Sequence, residues 1–142
     1  MEASKGAAEH GSKDAMEQLG FRPGMVVQEL GWDEDVDEDL RDDMMDAIDA
    51  DLIEDADEAV DAVVVWLRDD SDVTDALVDA LRDLSDDGHI WLLTPKIGRP
   101  GFIEQADLAE GATTAGLTLT TAVDVAQDWQ ALKVVRPRSG RK

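Results

Sequence analysis

The chain has 142 residues, 43% of them hydrophobic, enough for one domain with a real core. Its formal net charge is −21, from 34 acidic against 13 basic side chains, a field that repels nucleic acid and anionic lipid over most of the surface. It has no cysteine, which excludes disulfides, thiolate nucleophiles and cysteine metal sites.

Residues 1–13 are small, polar and glycine-containing and predict a disordered leader without secretory character. Residues 14–136 predict a single domain, and 137–142 a basic tail. The longest apolar run, Ala62 to Leu67, is too short to span a bilayer. A cytoplasmic protein without direct nucleic-acid or membrane contact is expected.

In chain order, Lys13 to Leu19 predicts a short helix stopped by Gly20 and Pro23. Met25 to Leu30 predicts a first strand that runs into Gly31-Trp32-Asp33-Glu34-Asp35. In nucleotide-binding α/β folds that turn is glycine-rich, so that backbone amides approach phosphate or carboxylate. Here it carries one glycine, an indole and three carboxylates. A helix over 37–52 follows, with Val36, Leu40, Met44, Ile48 and Leu52 on one stripe and Asp37, Glu38 and Asp39 in its first turn. Between Asp33 and Asp61 there are 16 acids and one base, Arg41. Asp39, Asp42, Asp43, Asp46 and Asp49 are the expected acidic face for a basic protein partner. A mimic of a phosphate backbone is the alternative, and a solvated helical surface the plain one.

Val60 to Leu67 is continuously apolar, as in a strand buried on both faces. Asp72 predicts the N-cap of a helix with Val73, Leu77, Ala80, Leu81 and Leu84 inward, ended by Asp87-Gly88. His89 to Thr94 is the third strand, stopped by Pro95. Lys96 to Phe102 is a loop, and Ile103 to Ala115 a helix weakened by Gly111. Leu117 to Ala126 and Trp129 to Val135 form a hairpin around Gln127-Asp128.

This alternation predicts an α/β fold of minimal Rossmann-like type, a two-layer or three-layer sandwich. Its mostly parallel five-stranded sheet has the order 1-2-3-5-4 and a C-terminal antiparallel hairpin. If the parallel strands step one way through right-handed crossovers, their helices share one face. The other face would then be uncovered and available for a homo-oligomer or a partner. Curling of the sheet around the N-terminal helix is the alternative.

Several stretches carry a resemblance. Ala59 to Leu67 and Leu84 to Pro95 resemble the fourth and fifth strands of class I methyltransferases, where an Asp precedes a buried strand and a glycine turn opens the next. Trp129-Gln-Ala-Leu-Lys-Val-Val-Arg136 is similar to the closing strand of that fold. Pro23-Gly24-Met25, Trp91-Leu-Leu-Thr-Pro95-Lys96 and Trp129-Gln-Ala-Leu132-Lys133 more closely resemble an actinobacterial family, domain of unknown function 3052, over roughly residues 17–137. The resemblance implies the frame and carries no activity with it. About thirty residues between Leu30 and Val60 leave no room for the methyltransferase second and third strands. The carboxylate that holds the ribose of S-adenosylmethionine in the larger fold is therefore missing. With the crowded first turn, this implies no cofactor bound in the usual way.

His89 beside Asp86 and Asp87 is expected to have a raised pKa, suited to acid/base work or to neutralising its neighbours. The series Asp33, Asp35, Asp37, Asp39 opens like a calcium loop but has Glu38 where glycine and Met44 where glutamate are required. No metal site is assigned there, and no catalytic residue anywhere. Gly31, Trp32, Thr94, Lys96 and Arg99 emerge at the carboxyl ends of strands and form the candidate pocket for an anion or peptide. Its plain reading is that the two cations pair with the acidic turn. Trp66, Trp91 and Trp129 are expected in the core, and Trp32 as a helix cap or an exposed anchor. The residues favour a non-enzymatic, acidic binding or regulatory protein acting through protein contacts. A degenerate methyltransferase-like binder of a small molecule or nucleotide is the alternative.

Overall fold

Apolar residues that alternate faces along the strands sort into two separate cores, one on each side of the sheet. This is seen in a computed structural model that describes residues 15–137. The leader expected over 1–13 and the tail beyond Pro137 lie outside the described residues. The elements are β1 (Val27–Leu30), α1 (Glu38–Ile48), β2 (Val60–Trp66), α2 (Val73–Leu81), β3 (Leu84–Pro95), α3 (Gln105–Thr114), β4 (Thr118–Asp124) and β5 (Trp129–Val135). A helical segment at 15–19 precedes them and ends at Gly20, whose φ is +78°.

The sheet order is β1-β2-β3-β5-β4, as the sequence predicts. Two pairings are parallel and two antiparallel. The sheet is therefore mixed rather than mostly parallel, because β5 inserts between β3 and β4. Leu40, Met44 and Ile48 of α1 pack with Leu19, Trp66, Trp91 and Trp129 in the first core. Leu77 and Ala80 of α2, with Leu108 and Ala112 of α3, pack with Val63, Val65, Leu92 and Leu132 in the second.

The sandwich thus has three layers, and the uncovered face expected from one-way crossovers does not exist. The reason lies in residues 49–59. Helix α1 ends at Asp49, in a left-handed conformation at φ 60°. Ile53 then makes a parallel bridge to Gln28 on the outer side of β1. Glu29 N donates to Ile53 O at 2.7 Å, and Ile53 N to Val27 O at 3.1 Å. The chain steps outward over one face, then returns inward past Ala56, which packs in the second core. One bridging residue reverses the direction of winding, so right-handed connections fall on both faces.

Several element boundaries differ from expectation, and three of the differences bear on the fold. Helix α1 stops before residue 52 because Ile53 is needed at the sheet edge. Helix α2 ends at Leu81, and Leu84 begins β3 opposite Val60. Gly88 is a bulge position within β3, where a Cβ would meet Leu84 Cδ1 at 2.5 Å and Asp61 O at 2.9 Å. The β4–β5 connection spans 125–128, longer than two residues. Val125 is buried in the first core, and Asp128 O accepts the Lys96 N–H at 2.9 Å. Among the described residues no helix is long and apolar enough to cross a membrane.

Candidate functional site

The loops after β1 and β2 diverge, because α1 goes to one face and α2 to the other. In open α/β sheets such a divergence makes a crevice at the carboxyl ends of the strands, where ligands bind. Here Arg68, just beyond β2, fills it. Its Nη1 donates to Gly31 O at 2.7 Å and to Trp66 O at 3.1 Å. Nε donates to Asp35 Oδ2 at 3.0 Å, and Nη2 pairs with Asp35 Oδ1. The guanidinium lies 5.5 Å from the centre of the Trp129 ring. Arg68 holds the Asp35 carboxyl below the ordinary carboxylate range.

Gly31 is required where it stands. Its φ is +79°, and a Cβ would lie 2.4 Å from Trp66 O. The remaining glycine of the turn therefore serves contact between neighbouring strand ends.

Beneath the crevice Glu29 is 4% exposed. It takes a two-pronged contact from Arg41, Nε to Oε2 at 2.7 Å and Nη2 to Oε1 at 2.8 Å, and the Trp66 indole N–H at 2.8 Å. Arg41 also donates to Glu38 Oε1 at 2.8 Å, and the Trp32 indole N–H donates to Glu38 Oε2 at 3.2 Å. The hydrogen bond with Glu29 raises the Arg41 pKa further. Arg41 first, and Trp32 less, hold Glu38 below the usual range. A continuous polar chain, Trp66–Glu29–Arg41–Glu38–Trp32, pins α1 to the sheet.

The five residues expected to share a pocket are distributed. Gly31 and Trp32 belong to the crevice and its rim, and Trp32 is 48% exposed. Thr94 is buried and accepts from Gln130 Nε2 at 3.3 Å. Lys96 pairs with Asp124 at 2.5 Å and Arg99 with Asp128 at 3.0 Å. The two cations therefore answer the hairpin acids, while Arg68 answers the acidic turn. Arg99 does share a cavity of about 300 Å³ with Asp35, Pro95, Pro100, Asp128 and Trp129, beside Arg68.

The Asp series diverges. Asp33 accepts the Glu34 N–H, Asp35 goes to Arg68, and Asp37 caps α1 by accepting from Leu40 N. Asp72 caps α2 in the same way through Asp75 N. On α1, Asp39, Asp42, Asp46 and Asp49 are exposed and Asp43 half-buried, opposite the apolar stripe. Among the described residues no cation stands within 4.0 Å of these five. His89 departs from expectation in sign. Burial first, then Lys133, lowers its pKa against an opposing bond to the Leu19 carbonyl. Trp66, Trp91 and Trp129 are core residues, as expected.

Arg68 escaped the sequence reading. Its one visible signal is its place, a lone base between a buried strand and Asp69-Asp70, at the strand end where ligands gather.

The frame is that of a methyltransferase-like α/β sandwich in which Arg68 fills the crevice at the ends of β1 and β2. Comparisons with known proteins agree on the frame. A methyltransferase described as S-adenosylmethionine-dependent, from Aquifex aeolicus, superposes with a TM-score of 0.58 at 13% identity, over 87% of this chain and 88% of that one. Mitomycin 7-O-methyltransferase MmcR gives 0.60 at 9% identity over 89% of this chain, which spans about half, 54%, of MmcR. The chain belongs to the family of proteins of unknown function DUF3052, matched over residues 16–138. Uncharacterized proteins of Mycobacterium tuberculosis and Mycobacterium bovis are 44% identical to it over 135 residues, 94% of this chain and 84% of theirs.

Proposed function

We propose that this is a cytoplasmic, non-enzymatic binding protein that docks a basic protein partner on α1. The observation that carries the reading is the stripe Asp39, Asp42, Asp43, Asp46 and Asp49, without a neutralising cation among the described residues. A helix held by a half-buried Arg–Glu contact offers those carboxylates on a rigid support, which lowers the ordering cost of docking. Trp32, exposed in the loop before that helix and donating its indole N–H to Glu38, supplies an aromatic anchor next to the charge. Arg68 supports the non-enzymatic part, since it fills the crevice at the strand ends where open α/β sheets take ligands.

The test compares two variants of equal charge. One converts the five stripe aspartates to asparagine. The other converts Asp55, Asp57, Asp70, Asp75 and Asp107, which are exposed elsewhere. Affinity capture from native cytoplasm is run with each across a salt series. Loss of the captured partner from the stripe variant alone, and from the unaltered chain at high salt, supports the reading. Equal capture by both variants overturns it.

A second reading, a small-molecule binder of methyltransferase descent, draws on the cavity beside Arg99 and Trp129 and on the likeness to the Aquifex enzyme. A thermal-shift screen with S-adenosylmethionine, nucleotides and acyl-CoA reads it directly. A ligand that binds only the folded form raises the melting temperature.

A further inference from the structure

We infer that β4 is a pairing edge for a second copy of this chain, joining two sheets into one across a twofold axis. The two edges of the sheet are treated differently. At β1 the outer backbone is met by Ile53, and the Gln28 side chain reaches Glu54 O at 2.8 Å. At β4 no strand among the described residues pairs with the outer side. Unprotected edges template the addition of another strand, and proteins that avoid this place charge or proline there. In β4, Thr118-Leu-Thr-Thr-Ala-Val123 carries neither, in a chain with 34 acids. The one acid, Asp124, ends the strand and is paired with Lys96.

The strand is also complementary to itself in one register. The bulge places Thr120 and Thr121 together opposite Lys133, so side chains change faces across it. Leu119 and Ala122 stand against Val134 and Leu132, on the side of the second core. Thr118 and Val123 fall on the side of the first core, where Val123 is buried. In antiparallel pairing, residues directly opposed share a face. Thr118 opposite Val123 of the second copy, Leu119 opposite its Ala122, and Thr120 opposite its Thr121 satisfy that rule at every position. A bulge normally turns an edge away from pairing. Here the two bulges meet on the axis and match. No like charges oppose one another along the seam.

The salt dependence distinguishes this contact from docking on α1. Two chains of net charge −21 repel, so screening strengthens their association and weakens capture of a basic partner. Either reading can therefore fail without the other.

The experiment uses the full chain, which has no cysteine of its own. Sedimentation velocity at about 50 and about 500 mM NaCl is expected to show monomer shifting to dimer as salt rises. Ala122→Lys is expected to abolish the dimer with the melting temperature retained. Oxidation of Thr121→Cys, or of Thr120→Cys where the first folds poorly, is expected to give covalent dimer many times faster than Asp42→Cys on α1. A monomer at both salts, a dimer that survives Ala122→Lys, or equal cross-linking at 121 and 42 would each overturn the inference.

Discussion

Replacing Arg68 with alanine tests whether the crevice is closed by design of the packing or merely decorated by an ion pair. Arg68 has 16% side-chain exposure, whereas Asp35 has 54%. The exposed pair contributes at most about 1 kcal/mol. The donations to Gly31 O and Trp66 O are charge-assisted and together contribute about 1.5 kcal/mol after water re-enters. Stacking on Trp129 adds about 0.5 kcal/mol. The total is about 3 kcal/mol, most of it independent of Asp35. For a domain of this size that is a fall of about 10 °C in melting temperature. Thermal and urea unfolding of Arg68→Ala, Asp35→Asn and the double variant measure it. Arg68→Lys should recover little, because an ammonium lacks the planar fork that reaches two carbonyls and a carboxylate at once. An Asp35→Asn loss as large as that of Arg68→Ala would refute the reasoning, since the ion pair would then account for everything.

Gly111→Ala should destabilise by about 1–2 kcal/mol, although helix propensity alone predicts a gain of about 1 kcal/mol. A Cβ there meets Val73 Cγ1 at 2.5 Å and Val73 Cβ at 2.7 Å, so a higher melting temperature would contradict the α2–α3 packing. Glu29→Gln should cost about 2–3 kcal/mol, because Arg41 keeps its charge beside a neutral amide; urea unfolding followed by tryptophan fluorescence should show a lower midpoint, and an unchanged midpoint would contradict it. His89 has a folded-state pKa below its ordinary 6.5. The unfolded chain therefore binds the proton first, and stability is lost as pH falls below that value. The melting temperature of the unaltered chain should drop more steeply between neutral pH and about pH 5 than that of His89→Leu. Parallel curves would remove the buried-histidine account.

Much of the fold is legible because strand burial and helix periodicity leave different marks. Val63-Val-Val-Trp66 admits only a strand covered on both faces, and Leu40, Met44 and Ile48 admit only one inward stripe. Caps at Asp37 and Asp72 are local chemistry and are read locally. Asp87-Gly88 misleads for the same reason. A helix stop and a bulge both ask for glycine, and only the approach of Asp61 and Leu84 distinguishes them. The site is less legible. Arg68 meets Asp35, 33 residues away, and Glu29 meets Trp66, 37 away. A single charged residue does not name a partner across the sheet. Lys96 and Arg99 show the consequence, since the nearest acids in sequence are not the ones they meet.

Ile53 explains how helices come to cover both faces of this sheet. A parallel sheet wound in one direction leaves a face bare, and this chain is too small to spare strands for winding both ways. A single residue bonded to both Val27 and Glu29 does the work of a strand, turning the chain back and placing α2 opposite α1. The same reversal creates the divergence at the ends of β1 and β2. A divergence left empty would expose the Gly31 and Trp66 carbonyls together above a buried Trp129. Filling it with Arg68 satisfies both carbonyls and the aromatic face with one side chain. Closure of the crevice thus follows from the reversal at Ile53, which sends α1 and α2 to opposite faces and leaves Arg68 between the two strand ends.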